Sequence, residues 1–93
     1  MILEKSNRFK NELEDVVEFI ALDSVNRALD FFDAIISKIT KIPDNPYIYR
    51  KRPSLNDENV RELIYKGYTV PFEIDTKNNK IIILGIFNQN LWQ

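Results

Sequence analysis

Three consecutive strands are predicted between residues 60 and 87, and this stretch limits the possible folds more than any other part of the chain. Residues 68–74 alternate apolar and polar side chains, which is typical of a strand with one face in a core. Residues 60–65 lead into it through a Lys66-Gly67 turn, and residues 81–87 are apolar without alternation. A strand of that last kind is usually central and covered on both faces. Another layer of structure must therefore pack on this sheet.

Two amphipathic helices in the first half of the chain are predicted to form that layer. The first begins at Ser6 or Asn7, both good N-caps, and runs for about 14 residues. The second begins at Asp23-Ser24 and runs for about 18 residues, until Pro43 and Pro46 end it. Their short connection predicts an antiparallel pair. The apolar stripes that we expect to face the sheet contain Phe9, Leu13, Val16, Val17 and Ile20 in the first helix, and Val25, Ala28, Leu29, Phe32, Ile35, Ile36, Ile39 and Ile42, with Phe31 beside them, in the second.

The order of these elements indicates the fold class. Ile2–Lys5 is a short candidate strand, and residues 47–50 look like the start of another. Helices followed by a run of strands indicate an α+β fold, with an N-terminal helical hairpin packed on a small, mostly antiparallel β-sheet. Pro71 cannot donate a hydrogen bond, so its strand is an edge or is bulged there, and Gly85 indicates a bulge or a close backbone approach. At 93 residues, the chain is predicted to be a single domain, residues 1–93.

Composition excludes several kinds of chemistry. The chain has no cysteine and no histidine, which removes disulfides, thiolate chemistry, histidine bases and the usual zinc ligand sets. Two glycines cannot form a glycine-rich phosphate loop, and the acidic residues lack metal-loop spacing, so no metal and no cofactor are predicted. A net charge of −1 argues against a generic nucleic-acid binder. Because neither a signal peptide nor a membrane span is recognisable, the protein is predicted to be cytoplasmic.

Charge is unevenly distributed along the chain. Residues 47–93 carry a net charge of +2 and residues 1–46 a net charge of −3, and the densest basic point is Arg50-Lys51-Arg52. This run is either a strand edge defended by charge or a binding surface. Trp92 is expected to fold back onto the domain or to contact a partner. The acidic face of the first helix is expected to be solvated, with docking of a basic partner as the alternative; it contains Glu12, Glu14, Asp15 and Glu18.

Basic and aromatic side chains in the strand half could also act on a phosphodiester. Arginine and lysine can stabilise its transition state, and tyrosines can stack on bases or act as weak acids and bases. Such residues are common on strands, so the signal is weak by itself. The candidates are Tyr47, Tyr49, Arg50, Lys51, Arg52, Arg61, Tyr65, Lys66 and Tyr68.

Four spaced segments carry a resemblance to a known family. They are residues 14–24, with Ala28 and Phe32 in the helix that follows; Ile39-x-x-Ile42-Pro43-Asp44-Asn45-Pro46; Val60-Arg61-Glu62-Leu63-Ile64-x-x-Gly67-Tyr68-x-Val70-x-Phe72-x-Ile74; and Ile81-x-Ile83-Leu84-x-Ile86-Phe87. Together they resemble the RelE/ParE superfamily of toxins from type II toxin–antitoxin systems, over nearly the whole chain. The family fold is a helical hairpin packed on an antiparallel sheet, which agrees with the fold predicted from the residue pattern.

The family that the chain resembles contains members with two different functions. RelE-like members cleave mRNA on the ribosome with arginine, lysine, tyrosine or histidine side chains on the sheet, whereas ParE-like members lack that set and poison DNA gyrase. At the corresponding positions this chain has Ile64 or Tyr65, Thr69, Phe72 and the neutral run Asn88-Gln89-Asn90. Missing charges remove transition-state stabilisation. The resemblance therefore implies a ParE-like toxin, and no catalytic residue is assigned.

The implied function is inhibition of DNA gyrase by direct binding, without a cofactor. A small antitoxin is expected to neutralise the toxin by lying across the groove between the hairpin and the sheet, and to be the partner that binds operator DNA. The residues expected to bind the target are Arg50, Arg52, Arg61, Phe87, Asn88, Asn90 and Trp92.

Two alternatives remain open at this point. One is a RelE-like ribosome-dependent mRNA endoribonuclease. The other is a non-toxic module that binds an antitoxin without acting on a target. The candidate catalytic residues of the first alternative are Arg50, Arg52, Arg61, Lys66, Tyr65 and Tyr68.

Overall fold

The computed structural model of the protein describes residues 1–52 and 57–88. Within them, a helical hairpin packs on one face of a six-stranded sheet. The strands follow the order β1-β5-β4-β3-β2, with β6 paired to β4; β1 and β5 are parallel and the other pairs are antiparallel. The predicted α+β fold is confirmed. The elements are β1 Ile2–Lys5, α1 Asn7–Ala21, α2 Val25–Thr40, two 3-10 turns at Ile42–Asp44 and Pro46–Ile48, β2 Arg50–Lys51, β3 Val60–Tyr65, β4 Tyr68–Asp75, β5 Lys80–Ile83 and β6 Phe87–Asn88.

Serine caps define where both helices begin. The Ser6 hydroxyl accepts a hydrogen bond from the Phe9 N–H at 3.0 Å. The Ser24 hydroxyl accepts one from the Arg27 N–H at 3.2 Å. Each satisfies one of the backbone donors that a helix start leaves without a partner. Ser6 also donates to the Leu84 carbonyl at 3.1 Å, which ties the start of α1 to the chain beyond β5.

The core lies between the hairpin and the central strand β4. Alternate residues of β4 point into it, as the sequence pattern predicts. The first helix contributes two buried residues to this core, and the second helix contributes four. None of the helices in residues 1–52 and 57–88 is long and apolar enough to cross a membrane. The buried apolar residues on these three elements are Tyr68, Val70, Phe72 and Ile74 from β4, Phe9 and Leu13 from α1, and Ala28, Phe31, Ile35 and Ile39 from α2.

The second helix is rotated relative to the prediction. Phe31 lies in the core, whereas Val25, Leu29 and Phe32 are 63%, 56% and 41% exposed. The prediction that these three residues face the sheet is therefore wrong. The helix carries more apolar residues than one face can bury, and the small Ala28 side chain lies on the face that packs.

The last predicted strand is split in two. β5 ends at Ile83 and β6 begins at Phe87, so the continuous strand predicted over residues 81–87 is wrong. β5 lies between β1 and β4, as expected of a central strand, but Ile82 is only half-buried, so its second face is not fully covered. At the break, the Leu84 N–H donates to the Pro71 carbonyl at 2.9 Å. Pro71 lies opposite this break, which confirms an irregularity where proline cannot donate.

Residues 47–49 do not begin a strand. Pro46 occupies the first position of a 3-10 turn, Pro46–Ile48, and β2 is limited to Arg50–Lys51. The carbonyls of Tyr47 and Tyr49 accept hydrogen bonds from the Arg61 side chain. They are therefore occupied by a side chain and not by a strand ladder, which is why the prediction fails here.

Candidate functional site

Two arginines of the basic run converge on one buried carboxylate. The Glu62 side chain is 3% exposed, and its Oε1 accepts from Arg50 Nε at 2.5 Å while its Oε2 accepts from Arg52 Nη1 at 3.2 Å. A carboxylate removed from water needs such cationic partners, because desolvation penalises an unpaired charge heavily. Both guanidinium groups stay partly exposed, so Glu62 fixes their positions and leaves part of each accessible. Glu62 belongs to the sequence pattern that resembles the family, but sequence reasoning gave it no role in the site, because it lies 10 residues beyond Arg52 in the chain.

The basic run lies beside β6. The Arg52 guanidinium carbon lies 5.5 Å from the centroid of the Phe87 ring, a cation–π distance. Phe87 pairs in register with Thr69, and Glu62 pairs with Pro71. Because Thr69 and Pro71 lie on the face of β4 that is turned away from the helices, Phe87 and Glu62 lie on that face too. The structure thus brings two separately predicted target-binding residues, Arg52 and Phe87, together.

We call Arg50, Arg52 and Phe87 the sheet-edge surface; Lys51, between the two arginines, pairs in register with Arg61 and so points to the opposite face. Lys51 Nζ donates to Glu58 Oε1 at 2.6 Å, and this hydrogen bond lowers the pKa of the Glu58 carboxyl below its ordinary value. A groove of about 430 Å³ lies beside the surface. Its walls contain Arg8, Glu12, Arg52, Val60, Pro71, Leu84, Gly85 and Phe87.

Arg61 lies apart from the other arginines. It pairs in register with Phe72, so its side chain points to the helix-facing side, where it is buried. Its guanidinium donates to the backbone carbonyls of Glu58, Tyr49 and Tyr47 at 2.9, 3.0 and 3.4 Å. The contacts of Arg61 thus hold the 3-10 turn and the start of β2 against β3.

The remaining candidate ribonuclease residues, Tyr65, Lys66 and Tyr68, lie at the opposite end of β3. Tyr65 and Tyr68 both pack on Phe31, and their ring centroids lie 5.7 and 5.1 Å, respectively, from the centroid of the Phe31 ring. Lys38 Nζ and Lys66 Nζ lie 5.0 and 5.5 Å from the Tyr65 ring centroid. The six candidate ribonuclease residues are therefore divided among three places and do not share one site.

The outer sheet face has a neutral residue at the start of β4, the position where RelE-like members place an arginine. Thr69 occupies that position, fully buried, and its hydroxyl has no hydrogen-bond partner among residues 1–52 and 57–88. Ile64 is its neighbour in register. Among residues 1–52 and 57–88, no group of three or more acidic side chains could hold a metal ion. Asn90 and Trp92, both expected to bind the target, lie outside the described residues.

A second groove runs between α1 and the sheet. We call it the hairpin–sheet groove; it has a volume of about 360 Å³. Phe19 is 67% exposed at its rim, and Glu12 and Asp15 supply acidic groups beside apolar walls. Such a groove suits an apolar segment that carries basic residues. The groove is lined by Glu12, Asp15, Val16, Phe19, Tyr68, Ile86, Phe87 and Asn88.

These features define a small α+β protein with the hairpin-on-sheet architecture of the RelE/ParE toxins. The family described as "ParE toxin of type II toxin-antitoxin system, parDE" matches residues 3–90, and the chain belongs to this family. A chain from the solved structure of the chromosomal ParDE TA system of P. aeruginosa has the same fold, with a TM-score of 0.76, 21% identity and 95% coverage of both chains. No curated protein sequence matches the chain significantly.

Proposed function

We propose that this ParE-family toxin inhibits DNA gyrase by direct binding and is neutralised by a cognate antitoxin. The observation that carries the proposal is the division of the cationic residues. Arg50 and Arg52 form a partly exposed edge with Phe87, while the neutral Thr69 lies on the outer sheet face near the β3–β4 turn. A binding protein can use such an edge, whereas phosphodiester cleavage needs cations gathered around one reacting phosphate.

The sheet-edge surface is the proposed contact with the target. Arginine and aromatic side chains are enriched among residues that dominate binding energy. Glu62 holds Arg50 and Arg52 in place before the target arrives, so less side-chain freedom is lost on binding. An acidic or polar patch on gyrase is the complementary surface. Asn88, next to Phe87, is also proposed to contact the target, and so are Asn90 and Trp92.

The hairpin–sheet groove is the proposed seat of the antitoxin. Its apolar walls and its two carboxylates, Glu12 and Asp15, favour an antitoxin segment with alternating apolar and basic side chains. Phe87 lines this groove and also contacts Arg52. An antitoxin in the groove would therefore contact β6, the strand that carries Phe87, and would neutralise the toxin by obstructing the adjacent target contact. Operator DNA would be bound through the antitoxin.

The ribonuclease alternative is less well supported by the geometry. Arg61 is buried against backbone carbonyls, and Lys66 lies at the far end of β3 from Arg52. A phosphodiester could not contact all of these groups at once. Gyrase is a cytoplasmic target, so the proposal includes a cytoplasmic protein that acts as one domain over residues 1–93.

Two assays with purified components test the proposal. We expect the chain to abolish gyrase supercoiling and to leave in vitro translation and its mRNA intact. The variant Arg50→Ala/Arg52→Ala should weaken gyrase inhibition by about 10- to 30-fold, and circular dichroism checks its fold, because the buried Glu62 carboxylate loses both cationic partners. A matched control is Lys41→Ala/Lys77→Ala, which removes two exposed lysines elsewhere. Codon-phased mRNA cleavage with normal supercoiling would reject the proposal in favour of the ribonuclease. Growth without antitoxin and no effect in either assay would favour the non-toxic module.

A further inference from the structure

The outer side of the helical hairpin carries a third groove, which the proposed function does not use. We call it the interhelical groove; it lies between α1 and α2 and has a volume of about 430 Å³. Its apolar lining consists of Phe9, Leu13, Val17, Phe32 and Ile36. Val25 and Leu29 are exposed on α2 at helical spacings that place them on the same side as Phe32. Contiguous apolar surface of this kind on a small protein is typical of an interaction site. It results from the rotation of α2 that places Phe31 in the core.

Four charged residues line this groove in two groups of opposite sign. Lys5 and Lys10 lie toward the start of α1, and Glu14 and Glu18 follow along the helix. None of the four has an ion pair or a side-chain hydrogen bond within residues 1–52 and 57–88. Lys10 and Glu14 are four residues apart, but a lysine that precedes a glutamate is the weaker orientation for such a pair. The groove therefore has a positive end, an apolar middle and a negative end, with its charges available for a partner.

We infer that a second copy of this chain docks in the interhelical groove. A two-fold axis places the same surface of both copies face to face and reverses its direction. The positive end of one copy then meets the negative end of the other, twice, while the apolar middle packs on itself. A net charge of −1 gives little repulsion between copies. A self-complementary charge pattern around an apolar centre is what an isologous dimer requires.

The dimer leaves the antitoxin and target surfaces accessible. The hairpin–sheet groove is lined by Asp15, Val16 and Phe19 of α1, whereas the interhelical groove is lined by Lys10, Glu14 and Val17. These two sets lie on different sides of the helix, because successive helical residues are separated by about 100°. The dimer thus presents two hairpin–sheet grooves and two sheet-edge surfaces.

Analytical ultracentrifugation of the purified chain over a range of concentrations tests this inference. We expect a monomer–dimer equilibrium. Lys5→Glu/Lys10→Glu makes the groove uniformly acidic, and Glu14→Lys/Glu18→Lys makes it uniformly basic. Each variant alone should dimerise about ten-fold more weakly or worse, because like charges then face each other across the axis. An equimolar mixture of the two should form a heterodimer, because their grooves are complementary.

The controls separate this result from misfolding and from general charge effects. Lys41→Glu/Lys77→Glu makes the same change in net charge as Lys5→Glu/Lys10→Glu, but outside the groove, and should dimerise like the unmodified chain. Recovery of a dimer in the mixture shows that both groove variants fold. A chain that stays monomeric at all concentrations, or a dimer that the groove variants leave unchanged, would overturn the inference. Loss of antitoxin binding in the groove variants, with the chain monomeric throughout, would assign the groove to the antitoxin and also overturn it.

Discussion

The Glu12 carboxylate accepts a hydrogen bond from the backbone N–H of Ile86 at 3.2 Å, and so connects α1 to the break between β5 and β6. The same carboxylate lies 3.4 Å from Arg8 Nε. Gly85 lies directly beneath it, and a Cβ at that position would collide with Glu12 Oε1. A close approach to the backbone was one of the two interpretations predicted for Gly85, the other being a bulge. The contact fixes where Phe87 begins β6, and Phe87 belongs to both the sheet-edge surface and the hairpin–sheet groove.

Gly85→Ala is expected to displace the Glu12 carboxylate and lower the free energy of unfolding by about 1–2 kcal/mol, since a charge-assisted hydrogen bond is lost. Urea unfolding measures the change. In a Glu12→Ala background the same substitution should cost much less, because the obstructing group and the hydrogen bond are both absent. Equal costs in the two backgrounds would show that the contact does not govern this position.

Phe31→Ala and Phe32→Ala test the rotation of α2 with two neighbouring substitutions of the same type. Loss of the buried Phe31 ring should lower the free energy of unfolding by about 3–5 kcal/mol. Loss of the Phe32 ring, which is 41% exposed, should lower it by roughly 1 kcal/mol or less. Urea unfolding at low protein concentration measures both values without a contribution from self-association. The reverse order would mean that the predicted stripe was right.

Arg61→Ala should lower the free energy of unfolding by about 2–3 kcal/mol, because the carbonyls of Tyr47, Tyr49 and Glu58 lose a charged donor. Chemical denaturation measures this effect. Arg50→Ala is the matched comparison: Arg52 still pairs with the buried Glu62 carboxylate, so stability should change less while gyrase inhibition falls. If Arg61→Ala abolishes inhibition and leaves stability unchanged, Arg61 contacts the target directly.

Glu62→Ala should weaken gyrase inhibition, although Glu62 is too buried to contact the target. Without the carboxylate, Arg50 and Arg52 are no longer held in one position, and they lose conformational freedom when the target binds. The inhibition constant measures the loss, and circular dichroism checks the fold. Glu58→Gln removes an exposed carboxylate nearby and should have a smaller effect. Unchanged inhibition in Glu62→Ala would show that the arginines need no such support.

Asp75 is expected to make the β4–β5 turn sensitive to acid. Hydrogen bonds from the Asn78 side chain and backbone hold the pKa of the Asp75 carboxyl below its ordinary value of 3.8. A carboxyl with a lowered folded-state pKa stabilises the fold above its unfolded pKa and loses that contribution as pH falls through its folded pKa. Asp75→Asn should therefore show a smaller loss of stability below about pH 4, as measured by acid titration of the thermal midpoint. An identical pH dependence in both proteins would contradict this.

Local signals in the sequence predicted much of this protein. Ser6 and Ser24 cap the helices where expected, because capping depends on residues within one turn. Lys66 and Gly67 have φ values of 49° and 81°, so the predicted β3–β4 turn has the left-handed backbone that a tight hairpin favours. Pro71 marked the irregular point of the sheet because the missing N–H is a property of the residue itself. Element types and their order follow from contacts that are close in sequence.

The tertiary structure decided which of several possible surfaces each element uses. The apolar stripe of α2 is wide enough for two orientations, and packing against α1 and β4 selected Phe31 over Phe32 for the core. Arg52 contacts Phe87, which is distant from it in the chain. Arg61 lies on the other face of the sheet, because strand register places alternate residues on opposite faces. The sequence by itself therefore determined the family, the elements and the residues available for binding. Long-range packing and register determined which of those residues share a surface, because these contacts join residues that are distant in the chain.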